Sequence, residues 1–325
     1  MNDIFTHDEN VKKELLEHQG NILILANAGS GKTTFLTEKL KSDSKRLNNY
    51  QKLAAITFTR NATEEIKQKL VDIPDNVVVS TIDSFLDKEI ILPFLNQKYE
   101  NQTSVQFSFR IEHKFSRYSI GIRQILQDGI FGTYDFPTSQ HGKNFKCEVA
   151  LEILKTIDSA SEYIKYKFNT LYIDEFQDCD QSMNDLFLHL KDELRIHLFI
   201  VGDDKQSIYQ WRGASPKYII NLWNKENDFR KERFIGNFRS LPRIVDFSLA
   251  LTPEVTVNNI REKGSILYLA PEKDYLKEDV IKYLIDNGDI NLQEKNYFLI
   301  GNNKDIEETV TNLNNIFLNE FVYVR

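Results

Sequence analysis

The segment Ala26-Asn27-Ala28-Gly29-Ser30-Gly31-Lys32-Thr33-Thr34 constrains the fold more than any other feature of this chain. It follows an apolar β-branched run and opens a helical pattern. That is the context a phosphate-binding loop requires. Small residues let backbone N–H groups wrap a β-phosphate, and the helix N-terminus adds partial positive charge. Lys32 is placed to reach β- and γ-phosphates, and the Thr33 hydroxyl to ligate Mg²⁺. Ala26 stands where the general pattern has its first glycine.

The rest of the chain supports an α/β reading. Expected strands are Asn21–Ala26, Lys52–Phe58, Val77–Ser80, Asn169–Asp174, Ile196–Gly202, Lys231–Ile235, Ser265–Leu269, Asn296–Ile300 and Phe321–Val324. Several are nearly continuous apolar runs, as parallel strands covered on both faces should be. Helical patterns lie between them, at Asn61–Val71 and Gln181–Leu194 among others. The alternation predicts a doubly wound parallel sheet. From about Leu86 to Lys167 it gives way to a mostly helical, aromatic-rich stretch. The expected organisation is a first domain of residues 1–86 plus 168–230, a helical insertion at 87–167, and a partial second domain at 231–325.

Composition narrows the classes. The chain has 325 residues, 41% hydrophobic and 27% charged, as globular domains do. Its two cysteines are too few for a disulfide framework or a cysteine-based zinc site. The apolar runs are too short to span a bilayer, and Met1–Val11 does not read as a signal peptide, so the expectation is a cytoplasmic protein with no membrane partner. The net charge of −7 excludes a blanket attraction to nucleic acid. Any DNA site must be a local basic or aromatic patch.

Two further blocks carry chemistry. Leu171-Tyr172-Ile173-Asp174-Glu175-Phe176-Gln177-Asp178 ends an apolar strand in adjacent carboxylates. Asp174 can hold Mg²⁺, and Glu175 can orient and polarise an attacking water, the two tasks of phosphoryl transfer. Phe199–Ala214 runs from a buried strand into a polar loop. There Gln206 can sense a γ-phosphate. Tyr209 and Trp211 can offer stacking faces to unpaired bases, worth ~1–3 kcal/mol each. Trp211 can equally pack into a core.

Together these blocks resemble the superfamily-one DNA helicases of the UvrD/Rep type. Thr57-Phe58-Thr59-Arg60-Asn61-Ala62, Thr81-Ile82-Asp83-Ser84-Phe85 and Asn237-Phe238-Arg239-Ser240 resemble further segments of that family, in the same order. The resemblance implies a RecA-like P-loop NTPase domain that binds Mg²⁺ and ATP. Residues 26–34 would hold the nucleotide, with Phe238 stacking on adenine. Thr33 and Asp174 would hold the metal. Glu175, Asp174, Gln206 and Arg239 would serve hydrolysis, Arg239 from a second domain. Phe58, Arg60, Tyr209, Trp211 and Arg212 would meet single-stranded or forked DNA. Arg60 stands where the family has asparagine, and Asp83 where it has histidine. Gln19 is the candidate for the family's adenine-reading glutamine.

Residues 20–34, 80–94, 131–134, 143–146 and 174–218 resemble the helicase-like B subunit of the Gabija anti-phage defence system. That subunit is normally longer than this chain. It acts with an OLD-type nuclease subunit in a hetero-oligomer. The resemblance implies an ATP-dependent DNA helicase or translocase subunit, whose second RecA-like domain is represented here only by its start. The alternative is a nucleotide-gated DNA-sensing or structural subunit with little helicase activity that regulates a nuclease. A metabolic P-loop kinase would need neither Tyr209–Ala214 nor Asn237–Ser240.

Overall fold

A computed structural model of the chain describes residues 3–48, 50–98, 106–114, 130–135, 145–209, 213–240, 244–245 and 277–287. Six strands form one parallel sheet: β1 (Ile22–Ala26), β2 (Lys52–Thr57), β3 (Val77–Thr81), β6 (Phe168–Ile173), β7 (His197–Gly202) and β8 (Arg230–Phe234). Their order across the sheet is β3-β2-β6-β7-β1-β8. Every neighbouring pair runs parallel.

Side chains alternate between the two faces, as the two-residue period of a strand dictates. Leu23, Leu25, Ala54, Ile56, Leu171, Ile173, Leu198 and Ile200 point to one side. Ile22, Ile24, Leu53, Ala55, Tyr172, Phe199 and Val201 point to the other. Helices α1 (Asp3–Glu17), α2 (Lys32–Ser44) and α3 (Arg60–Leu70) cover the second face through Val11, Leu15, Phe35, Leu36, Leu40, Ile66 and Leu70. The first face is covered by α4 (Ile82–Leu86), a π-helical turn (Asp87–Ile91), α5 (Leu92–Lys98), α6 (Phe145–Thr156), α7 (Asp158–Lys167), α8 (Gln181–Asp192) and α9 (Lys217–Asn224). With both faces covered, the strands are free to be apolar throughout, which is why they were visible in the sequence.

The helix that follows the phosphate loop is fastened deep in the structure. Lys39 of α2 is 2% exposed. Its ammonium donates to the His18 carbonyl at 2.8 Å and pairs with Asp43 at 2.7 Å. The Tyr172 hydroxyl of β6 donates to the same Asp43. One buried ion pair therefore ties α2 to the segment after α1 and to the middle of the sheet.

Two expectations are corrected. The strand near residue 231 does not begin a second domain. β8 is the outermost strand of the first sheet, with Ile22 opposite Arg230 and Ala26 opposite Phe234. The chain divides into two compact units at Gly264/Ser265 instead. The stretch 87–167 is not wholly helical either. It carries β4 (Gln106–Lys114) and β5 (Ile130–Asp135), which pair in parallel as a separate two-stranded sheet. In the second unit, residues 265–325, one helix, α10 (Lys277–Asp286), lies among the described residues. The strands expected at Ser265–Leu269, Asn296–Ile300 and Phe321–Val324 lie outside them.

Candidate nucleotide and nucleic-acid site

All the motif loops leave the sheet at the C-terminal edge of its strands, where open α/β sheets place ligands. β1 ends at Ala26 and turns into the phosphate loop. Gly29 (φ 70°) and Gly31 (φ 82°) both adopt the left-handed conformation, which is nearly free for glycine and costly for other residues. Asn27 N donates to Phe234 O at 3.0 Å and Ser30 N to Asn27 O at 3.2 Å, which closes the loop. Helix α2 then starts at Lys32, with Gly31 as its N-cap. The Ser30 hydroxyl is buried and has no hydrogen-bond partner among the described residues. Thr34 is exposed on the first turn.

β6 ends at Ile173 and presents Asp174 and Glu175. The Thr33 hydroxyl donates to Asp174 Oδ2 at 2.9 Å. Lys32 Nζ lies 2.9 Å from Glu175 Oε2. Asp174 Oδ1 accepts from Glu175 N at 2.9 Å. Glu175 itself sits at φ 56°, ψ 40°, a left-handed backbone that few non-glycine residues adopt. Such strain persists only where the surroundings enforce it, and it concentrates at functional sites.

The electrostatics favour the neutral forms. Burial pushes Asp174 up to about 6, with the adjacent Glu175 carboxylate adding to the effect. Asp178 is likewise raised to about 6 by burial and by Glu175. Burial also raises Asp203 at the end of β7. Three carboxyls at the ends of β6 and β7 are therefore held above their ordinary range. Perturbed titrations of this kind cluster at functional sites.

Gln177 links the two strand ends. It is 2% exposed. Its Nε2 donates to Glu175 Oε2 at 2.6 Å, and its Oε1 accepts from Asp203 N at 2.9 Å. Gly202 makes room for it: a Cβ there would lie 2.8 Å from Gln177 Oε1 and 2.7 Å from Ile219 Cδ1. The next turn carries Gln206, whose N–H donates to Asp203 O at 3.1 Å.

A cleft of about 350 Å³ opens beside the carboxylates, and Phe58, Asn61, Asp174, Glu175, Gln206 and Tyr209 are among the residues lining it. Phe58 also packs against the core. Arg60 is exposed at the start of α3, whose N-cap Thr59 accepts from Ala62 N at 3.1 Å. The structure thus brings Phe58 and Tyr209 to the same cleft as Asp174, Glu175 and Gln206. Trp211 and Arg212 lie outside the described residues.

After β8 the chain turns over the phosphate loop. Phe238 N donates to Gly29 O at 2.7 Å, and the Lys12 ammonium lies 4.9 Å from the centre of the Phe238 ring. Arg239 is exposed one residue on. Gln19 does not join this group. It precedes β1, and a five-residue strand at ~3.3 Å per residue separates it from the loop at the other edge of the sheet. Gln177 and Asn237 were missed as bridging residues. Both stand inside motif segments, but only their hydrogen bonds reveal what they do.

The residues present fit a magnesium-bound nucleotide. Hard cations take oxygen ligands, and a nucleotide-bound Mg²⁺ needs few from the protein. The Thr33 hydroxyl and Asp174 carboxylate, already in contact, would supply that set. Two left-handed glycines and a helix N-terminus supply N–H groups for phosphate oxygens.

Comparison with known proteins agrees with this geometry. A family model described as an AAA domain matches residues 9–212. The Gabija protein GajB of Bacillus cereus is 40% identical over 256 residues, 78% of this chain and 51% of that protein. The ATP-dependent DNA helicase PcrA of Bacillus subtilis is 26% identical over 297 residues, 77% of this chain and 39% of that protein. PcrA of Staphylococcus aureus is 26% identical over 319 residues, 83% of this chain and 42% of that protein. The chain thus spans about half or less of the length of these relatives. It belongs to the AAA domain family, and the relatives it matches include ATP-dependent DNA helicases.

Proposed function

We propose that this chain binds Mg·ATP at the phosphate loop and single-stranded DNA at the adjoining cleft, as an ATP-hydrolysing motor subunit of anti-phage defence. One observation carries the reading. Lys32 and Thr33 of the loop are bonded to Glu175 and Asp174, and those carboxylates share a cleft with Gln206, Phe58 and Tyr209. A nucleotide γ-phosphate and an unpaired base would therefore be sensed within one small space.

The roles follow from the chemistry of the side chains. Lys32 neutralises β- and γ-phosphate charge. Thr33 and Asp174 hold Mg²⁺, which when bound screens the phosphates and polarises the γ-phosphoryl group. Glu175 accepts hydrogen bonds from Lys32 and Gln177 in this structure. When Lys32 turns to the phosphates, Glu175 is released to orient the attacking water and take its proton. Gln206 senses the γ-phosphate from the loop after β7. Phe238 lies against the base and Arg239 meets the γ-phosphate. Phe58, Arg60, Tyr209, Trp211 and Arg212 contact DNA, the aromatic residues by stacking on bases and the arginines at phosphates.

The similarity to the Gabija protein GajB supports a place in that defence system. The proposal extends to a cytoplasmic location and to an OLD-type nuclease subunit as partner in a hetero-oligomer. No helix among the described residues is long and apolar enough to cross a membrane. The test is steady-state ATP hydrolysis with and without a single-stranded oligonucleotide, for the parent and for Glu175→Gln. The motor reading requires DNA-stimulated turnover that Glu175→Gln abolishes. Nucleotide-dependent DNA binding with no turnover in either protein would favour the sensor reading instead.

A further inference from the structure

The turn after β8 is strapped to the phosphate loop through the Asn237 side chain. Asn237 is 8% exposed. Its Nδ2 donates to Ala28 O at 2.9 Å. Its Oδ1 accepts from Arg239 N at 3.0 Å and from Ser240 N at 2.8 Å. The next residue adds a second tie, Phe238 N to Gly29 O at 2.7 Å. The fit is close. A Cβ on Gly29 would lie 2.6 Å from Asn237 Oδ1 and 2.9 Å from its Nδ2.

A phosphate loop binds anions by aiming N–H groups at them, so its carbonyls must be held elsewhere. A carbonyl that turned inward would repel a phosphate. Ala28 O and Gly29 O are the carbonyls at risk, and residues 237 and 238 supply donors to both. We propose that Asn237 is a positioning residue for nucleotide binding. It keeps the loop carbonyls turned away from the phosphates. It also fixes the turn that carries Phe238 and Arg239, so the phosphate and base sites move as one unit. Only a carboxamide does both. Aspartate has no donor for Ala28 O, and serine lacks the reach.

This inference rests on the reading of the loop as a nucleotide site. The test is calorimetric titration of the whole chain with Mg·ATP and, separately, with magnesium tripolyphosphate, which has no base. The proteins compared are the parent, Asn237→Asp and Asn237→Ala, each with its melting temperature. The expected result is that both variants bind both ligands about tenfold more weakly or worse. Asn237→Asp should be the weaker, because its carboxylate faces Ala28 O. Asn237→Ala carries the test if the aspartate variant does not fold. Unchanged tripolyphosphate affinity in a folded variant overturns the inference, even if ATP affinity falls, because Asn237 then serves only the base. If the parent binds neither ligand, the nucleotide-site reading itself fails, and that outcome is distinct from the first.

Discussion

The Lys32 ammonium lies 2.9 Å from Glu175 Oε2, so the phosphate-loop cation and the candidate catalytic base neutralise each other. Under the proposed function a nucleotide would divide this pair: its phosphates would take the lysine and leave the carboxylate available for water, so binding and the arming of the base would be one event. The pair is only partly buried, at 14% and 36% side-chain exposure, so its loss costs the fold little. The first expectation is that Lys32→Ala raises the Kd for Mg·ATP at least tenfold while the melting temperature stays within a few degrees.

Glu175→Gln should separate binding from chemistry. The variant keeps the shape and the hydrogen bond to Lys32 but cannot take a proton. Nucleotide affinity should stay within a few-fold of the parent, and turnover should fall ~10²–10⁴-fold. Single-turnover hydrolysis beside a binding titration measures both.

Asp174 gives a pH dependence with a defined sign. Its carboxyl is raised from 3.8 to about 6 in the folded protein. Between those values the folded state binds more protons than the unfolded state, so this group makes stability fall as pH rises. The penalty is absent below about 4 and complete above about 6. Asp174→Asn should therefore raise the melting temperature of nucleotide-free protein at pH 7.5, by the equivalent of ~1–3 kcal/mol, and by less at pH 5. Thermal melts at the two pH values check it. A variant less stable than the parent at pH 7.5 would count against the strained, desolvated site described here.

Gly202→Ala tests the Gln177 bridge. The added methyl would fall 2.7 Å from Ile219 Cδ1, 2.8 Å from Gln177 Oε1 and 3.2 Å from Gln177 N. The last is backbone and cannot swing aside. The expected cost is ~1–3 kcal/mol, read as a lower denaturant midpoint with an unchanged slope.

Much of this was legible because the physics of a covered parallel sheet leaves little choice. The strands before Thr57, Asp174 and Asp203 are apolar on both faces, and each ends in a polar motif at the same edge. β8 was found as a strand but given to the wrong domain. Arg230-Lys231-Glu232-Arg233-Phe234 is charged because it is an edge strand, and a charged edge reads like a surface piece of something new. β4 was missed although Phe107, Phe109 and Ile111 alternate with polar residues, the period-two signal of a strand. The left-handed backbone of Glu175 and the Asn237 strap left no trace in the sequence. They depend on which carbonyls and amides the fold brings together, and residue type alone does not encode that.

The DNA side of the cleft is tested through Tyr209, which lines it beside Phe58. Tyr209→Ala should weaken binding of a single-stranded oligonucleotide by ~1–3 kcal/mol with little sequence preference, and Trp211→Ala similarly. Fluorescence anisotropy with oligonucleotides of different composition checks both the size and the lack of preference.

The most direct measurement is steady-state ATP hydrolysis by the parent chain across a titration of single-stranded DNA, with Glu175→Gln alongside. The account predicts turnover that rises with DNA to saturation and is lost in the variant. Turnover indifferent to DNA, or a Glu175→Gln protein as active as the parent, would contradict the placing of ATP chemistry and DNA sensing in the one cleft between Phe58, Glu175 and Tyr209.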